Sequence, residues 1–301
     1  MPPPPITLFT YARPHHTRLT IEALLRNAGV SDHDLIVYSD APRTPEMTQA
    51  VGNVRDYLKT LTGFRSVTIH LRPYNFGLAK SIVEGVTEVL SLYDRIIVLE
   101  DDMLTSPHFL DFMRVALDRF ADDDRVVSVH GYVYPIKQAL PEAFFLRGAD
   151  CWGWATWRRG WSLFNPDGQA LLTELRVRNV IREFDFNGSY GYSKILKGQI
   201  EGTNDSWAVR WYASAFLADK LTLYPGRSLV HNIGNDGSGT HCGRYSTHDT
   251  KLSETKINLA DIKVSPSPIG FSAFERFFWE SKIRFSSKIA QRLKELVTKR
   301  H

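Results

Sequence analysis

A mostly parallel α/β sheet flanked by helices is the fold the sequence predicts, and three features predict it. Short apolar runs alternate with amphipathic segments through the first half, the run Ile96 to Leu99 has no polar face, and turn-forming residues separate the segments. Parallel strands are buried on both faces and need helical crossovers, so continuous apolar runs and intervening helical stripes belong together.

The elements follow in order. Ile6 to Thr10 reads as the first strand, and a helical pattern from Thr17 to Asn27 is stopped by Gly29. Leu35 to Ser39 and Val67 to Leu71 are the second and third strands. Ile82, Val86, Val89, Leu90 and Tyr93 form one helical stripe, and Phe109, Phe112, Met113, Ala116, Leu117 and Phe120 form another. Ser106 and Pro107 suit the cap and first position of that second helix. Val126 to Val129 is a further strand. From Phe144 to Cys242 the alternation fades into a segment rich in Trp, Tyr and Gly, expected to be an irregular, substrate-facing half. Ser265-Pro266-Ser267-Pro268 is the one break in composition. The division expected is a ligand-binding half at 1–135, a catalytic half at 136–264 and a tail at 265–301.

The net charge of +4 resides in the tail: residues 271–301 carry eight Lys/Arg against three Asp/Glu, while the remainder is balanced. No basic face or recognition module marks the main body, so nucleic acid is excluded as the expected partner. Two cysteines, Cys151 and Cys242, fit a reducing compartment, with the cytosol the default. The proline-rich start lacks the features of a signal peptide, and no apolar run approaches the ~20 residues that span a bilayer. The tail interleaves Phe274, Phe277, Phe278, Phe285, Ile289, Leu293 and Leu296 with basic residues. That pattern suits either a helix on the anionic inner membrane face or one docked on the main domain.

The chemical signal is Glu100-Asp101-Asp102 directly after the buried strand. Ligands of open α/β sheets sit at the carboxyl ends of strands. Three adjacent carboxylates repel one another unless a hard cation such as Mg²⁺ or Mn²⁺ relieves them. The competing reading is a solvated acidic run ahead of a helix. A P-loop is excluded because Gly77-Leu78-Ala79-Lys80-Ser81 has Ala79 where glycine must precede the lysine.

The pieces Thr10-Tyr11-Ala12-Arg13-Pro14, Ser39-Asp40, Asn75-Phe76-Gly77-Leu78, Glu100-Asp101-Asp102, Trp152-Gly153-Trp154-Ala155 and Asn204-Asp205-Ser206-Trp207 occur in an order that resembles the inverting GT-A glycosyltransferases. N-acetylglucosaminyltransferase I and related bacterial sugar transferases are the nearest in pattern, over Ile6 to Cys242. The resemblance implies a GT-A fold, a nucleotide-sugar donor, UDP-linked, and a glycan or glycolipid acceptor. It implies that Thr10, Arg13 and Asp40 line the nucleoside pocket, that Asn75 and Lys80 meet phosphate or ribose, and that Glu100 and Asp101 contact donor sugar and ribose. Asp102 would be the metal ligand and Asp205 the base that deprotonates the acceptor; locally, Asp205 reads equally well as a helix N-cap. Gly153 and Trp154 would approach the donor sugar, with Trp157, Trp161, Trp207 and Trp211 as packing. The glycine-rich run 234–241 suits a loop over a phosphate, with His241 preferred to His231 as a contact. Two rivals share the pattern: a sugar nucleotidyltransferase and a non-catalytic sugar-binding protein.

Overall fold

The structure, a computed structural model, describes residues 2–236 and 248–298, with side chains as far as 283. Its first half is a set of βα units: β1 (Ile6–Thr10), α1 (Pro14–Leu25), β2 (Asp34–Ser39), α2 (Thr48–Leu58), β3 (Ser66–Leu71), α3 (Leu78–Leu92) and β4 (Arg95–Glu100). The strands lie parallel in the order β3-β2-β1-β4, so the two central ones are covered on both faces. β4, interior to the full sheet, obeys the same rule: Ile96, Ile97, Val98 and Leu99 are at most 1% exposed, each worth roughly 1.5–3 kcal/mol of burial. β3 alternates exposed Ser66 and Thr68 with half-buried Val67 and Ile69, as an edge strand can.

After Glu100 come β5 (Met103–Thr105), α4 (Phe109–Arg119), β6 (Val126–His130), β7 (Ala143–Arg147) and β8 (Trp154–Trp157). Helices α5 (Arg158–Trp161), α6 (Gly168–Val177), α7 (Ile181–Phe184), α8 (Tyr192–Ile200) and α9 (Trp207–Leu217) precede β9 (Leu221–Pro225) and β10 (Val230–Asn232), and α10 spans Pro268–Thr298. The sheet continues past β4 as β8-β6-β9-β7, giving eight strands of which only β8 and β7 run against the rest. A separate two-stranded ladder joins β10 to β5, directly beyond the acidic triplet.

Two expectations change here. The aromatic stretch after Phe144 is not irregular: it supplies β7, β8 and β9, so one sheet runs across residue 135. Its strands are buried on both faces, which erases the alternation by which a strand is read from sequence. The second change is at α4, which starts at Phe109. Ser106 Oγ accepts from the His108 amide at 3.2 Å and donates to the Ser253 carbonyl at 2.6 Å, holding a turn ahead of the helix.

The tail docks where it is described. Phe274 and Phe278 are 2% and 3% exposed and join a core cluster with Phe144, Phe186 and Tyr224. Ser267 N donates to Phe145 O at 2.8 Å and Lys282 Nζ to Gly188 O at 2.8 Å. The basic-aromatic spacing therefore serves the main domain through this part of α10, as an amphipathic helix does when its apolar stripe finds a protein surface. Trp279 and Ile283 stay exposed on the same helix. Among the described residues no helix is long and apolar enough to cross a membrane.

Candidate functional site

The parallel register sets Phe9 of β1 opposite Glu100 of β4, which brings the loop after Thr10 alongside the acids. Arg13, at the start of α1, pairs its guanidinium with Asp101 and reaches Asp102 Oδ2 at 2.9 Å. The Tyr11 amide donates to Asp101 Oδ2 at 3.3 Å, and Thr20 Oγ1 donates to the Asp101 carbonyl at 2.9 Å. Both aspartates are buried, at 3% and 6% exposure. Burial pulls the Arg13 guanidinium down, but the charges of Asp101 and Asp102 prevail and hold it above its ordinary range. Burial pushes the Asp101 carboxyl up against the pull of Arg13. Glu100 makes no ion pair among the described residues: burial, then the charges of Asp102 and Asp101, push it up to about 8, with Arg13 opposing weakly.

One oxygen of the triplet is left over. Asp102 Oδ1 is buried and has no hydrogen-bond partner among the described residues. The chain after β10 closes over it, with Ile233 N donating to Asp102 O at 2.9 Å and Gly234 N to Asn232 Oδ1 at 2.8 Å. Glycine is required at 234 by space, since a Cβ there would lie 2.1 Å from Asp102 Oδ2. The donor set fits Mg²⁺ or Mn²⁺ in the mode that uses one or two carboxylates and completes the shell with water and phosphate. It does not make an all-protein cage, as no cluster of three or more ligating side chains occurs among the described residues.

Asp40 organises a turn. Its Oδ1 accepts from Ala41 N and Phe76 N, both at 2.9 Å, and its Oδ2 from Gly77 N at 2.9 Å and Asn75 Nδ2 at 3.1 Å. Four donors occupy the acceptor sites of a carboxylate, so Asp40 is committed to holding the Asn75–Gly77 turn and has no site left for direct acceptance from a ligand. Asn75 Nδ2 also donates to Ala41 O at 2.7 Å. Lys80 is exposed, 3.7 Å from Glu84 and 4.4 Å from the centroid of Phe76, which ties it to the same turn. Thr10 is buried at the end of β1 with its Oγ1 unpartnered among the described residues.

Trp154 is corrected. It is 1% exposed and packs against Trp161, Trp207 and Trp211 with centroids 5.2–6.1 Å apart across that cluster, so its ring is taken up by the core and not turned to a donor sugar as expected. Its facing is set by the register of β8 between β4 and β6. Gly153 has φ +63 and a Cβ there would meet Val230 Cγ2 at 2.6 Å, which makes its demand one of packing as well. The solvent-side tryptophan of the group is Trp152, half-buried and edge-on to Tyr132 at 4.7 Å. Ser206, not Asp205, caps α9, accepting from Val209 N at 3.2 Å. Asp205 is exposed, with its carboxylate uncommitted to that cap. His241 lies outside the described residues.

A second acidic group escaped the sequence reading. Asp150, just before the Trp-Gly-Trp run, sits 3.6 Å from the Nε2 of His130. Cys151 beside it has its thiol pushed well up by burial, with Asp150, Glu100 and Asp102 adding to the effect, so this turn borders the triplet. The only sequence signal was an acid next to an aromatic run.

No family model matches the chain, and no curated protein matches it. Among solved structures, it is similar to the mannosyltransferase PcManGT from Pyrobaculum calidifontis in complex with GDP-Man and Mn²⁺, at 14% identity and TM-score 0.31, covering 44% of this chain and 36% of that one. It is also similar to residues 1–349 of TarS from S. aureus, at 9% identity and TM-score 0.41, covering 77% of this chain and 61% of that one. The chain thus spans less than two thirds of either structure.

Proposed function

We propose that this protein is a GT-A glycosyltransferase that moves a sugar from a nucleoside diphosphate donor, UDP-linked, to a hydroxyl of a glycan or glycolipid, with inversion and with Mn²⁺ or Mg²⁺. The observation that carries the reading is the buried Oδ1 of Asp102, without a hydrogen-bond partner among the described residues, at the carboxyl end of a parallel strand, where α/β folds place their ligands. An isolated buried carboxylate oxygen is costly in a finished fold and is relieved by a cation.

In this reading Asp102 holds the dication, and Glu100 and Asp101 meet donor sugar and ribose. When bound, that ion supplies Lewis-acid stabilisation of the departing diphosphate oxygens. Arg13 pairs with both aspartates and orients them, and in this reading its charge faces the negative charge that develops on the leaving diphosphate. The Asp40-held turn presents Asn75 to the nucleotide, and Thr10 offers a hydroxyl without a hydrogen-bond partner among the described residues. Asp205 takes the acceptor proton as the hydroxyl attacks; its freedom from the α9 cap supports that role over a structural one. Exposed Trp279 and Ile283, with the basic end of α10, support contact with an anionic membrane surface, which cosedimentation with anionic vesicles before and after removal of 284–301 tests.

The deciding experiment is a panel of nucleotide-sugars assayed for nucleoside diphosphate release with Mn²⁺ and with chelator. Metal-dependent release from one donor, lowered by about 10²–10⁴ in Asp205→Asn, is expected. Pyrophosphate as the product would make the protein a nucleotidyltransferase instead, and saturable binding without turnover a sugar-binding protein.

A further inference from the structure

We propose that Asp150, backed by His130, anchors the acceptor sugar through its hydroxyls, with Trp152, Tyr190 and Tyr192 forming the apolar wall of the subsite; this rests on the transferase reading for the word acceptor, but not for the binding itself.

Asp150 stands in the turn between β7 and β8. One oxygen, Oδ1, accepts from the Cys151 amide at 2.8 Å, and Oδ2 faces His130 Nε2 at 3.6 Å. The side chain keeps 22% of its surface exposed, so part of the carboxylate is open. Behind it, His130 is completely buried and neither ring nitrogen has a hydrogen-bond partner among the described residues. Burial lowers its proton affinity, with Asp150 opposing, so the ring is neutral and presents one donor and one acceptor. Unsatisfied polar groups of this kind are uncommon in finished interiors and mark places completed by something else.

The surroundings are aromatic. Tyr224 lies 5.1 Å from the His130 ring, edge-on to it. Tyr190 and Tyr192 lie 4.4 Å apart with their rings tilted by 51°, both half-buried, and Trp152, two residues after Asp150, is half-buried against Tyr132. Saccharide recognition calls for this combination: a carboxylate accepts from neighbouring hydroxyls while ring faces cover the C–H face of the pyranose. The antiparallel register sets Trp154 opposite Val98, and a Cβ at Gly153 would lie 3.4 Å from Leu99 Cδ2, so a sugar held at the turn before β8 borders the acid end of β4, where a donor would lie.

The test uses the full chain without any nucleotide-sugar. Saturation-transfer NMR against methyl α- and β-glucopyranoside, galactopyranoside and mannopyranoside is expected to give signal for at least one. Asp150→Asn is expected to weaken that binding about tenfold or more, as loss of a charge-assisted hydrogen bond does. Tyr190→Phe, which removes one hydroxyl and keeps the ring, should retain binding with a smaller loss and shows that the fold tolerates change here. No signal from any of the pyranosides, or equal affinity in Asp150→Asn with its near-UV circular dichroism intact, overturns the proposal. Because neither donor nor turnover enters the measurement, failure of the transferase reading would appear separately, in the nucleotide-sugar panel.

Discussion

The guanidinium of Arg13 lies 2.9 Å from Asp102 Oδ2, a contact made across 89 residues of chain. It also pairs with Asp101, so one cation serves two buried carboxylates. Removing it leaves both charges uncompensated in a low-dielectric site, which costs far more than the pair contributes over an apolar substitute. Arg13→Gln is expected to lower the unfolding free energy by about 3 kcal/mol in urea titration. Asp101→Asn in that background should recover part of the loss, since one of the stranded charges is then gone.

Gly234 is the second test of the same geometry. A methyl group there would meet Asp102 Oδ2 at 2.1 Å, whereas at Gly52 it would meet nothing within 4 Å. Gly234→Ala should therefore displace either Asp102 or the chain after β10 and cost about 2 kcal/mol. Gly52→Ala, in the middle of α2, should be neutral or stabilising by about 0.5–1 kcal/mol. Thermal midpoints of the two variants, measured side by side, check the contrast.

The turn held by Asp40 can be read directly. Asp40→Ala removes the acceptor of the Phe76 and Gly77 amides, and faster hydrogen exchange at those two positions is expected, with a stability loss of about 2–3 kcal/mol. Unchanged protection at both amides would contradict the assignment of Asp40 as the turn's organiser.

His130 gives a pH signature. Its folded-state affinity for a proton is lowered by burial, so between its folded pKa and the ordinary value near ~6.5 the unfolded chain binds more protons. The stability from keeping it neutral is full above that range and falls away as pH drops through it. The difference in thermal midpoint between the native protein and His130→Gln should accordingly shift against the native protein from pH 7.5 to 5.5. A difference independent of pH would show that His130 is protonated equally in both states.

Much of the frame could be read before folding. The runs at β1, β2 and β4 and the stripes of α3 and α4 are local patterns, because burial on two faces or on one helical face writes itself into consecutive residues. The position of Glu100, Asp101 and Asp102 followed from the same rule, as strand ends are where side chains of open sheets meet ligands. The strands β7, β8 and β9 were hidden since they are buried on both faces, so no exposed face marks the alternation of a strand.

The sequence by itself determined the parallel half of the sheet, the acids at its edge and the amphipathic character of the tail, all set by periodicity within one segment. Tertiary structure alone decided that Arg13 neutralises Asp101 and Asp102, that Trp154 is wholly buried while Trp152 stays part-exposed, and that Asp150 meets His130. Each of these depends on strand register: β1 against β4 for the first, and β8 between β4 and β6 for the others. A shift of one residue in a strand turns every side chain to the opposite face, and the pairing that forbids that shift is spread over distant parts of the chain.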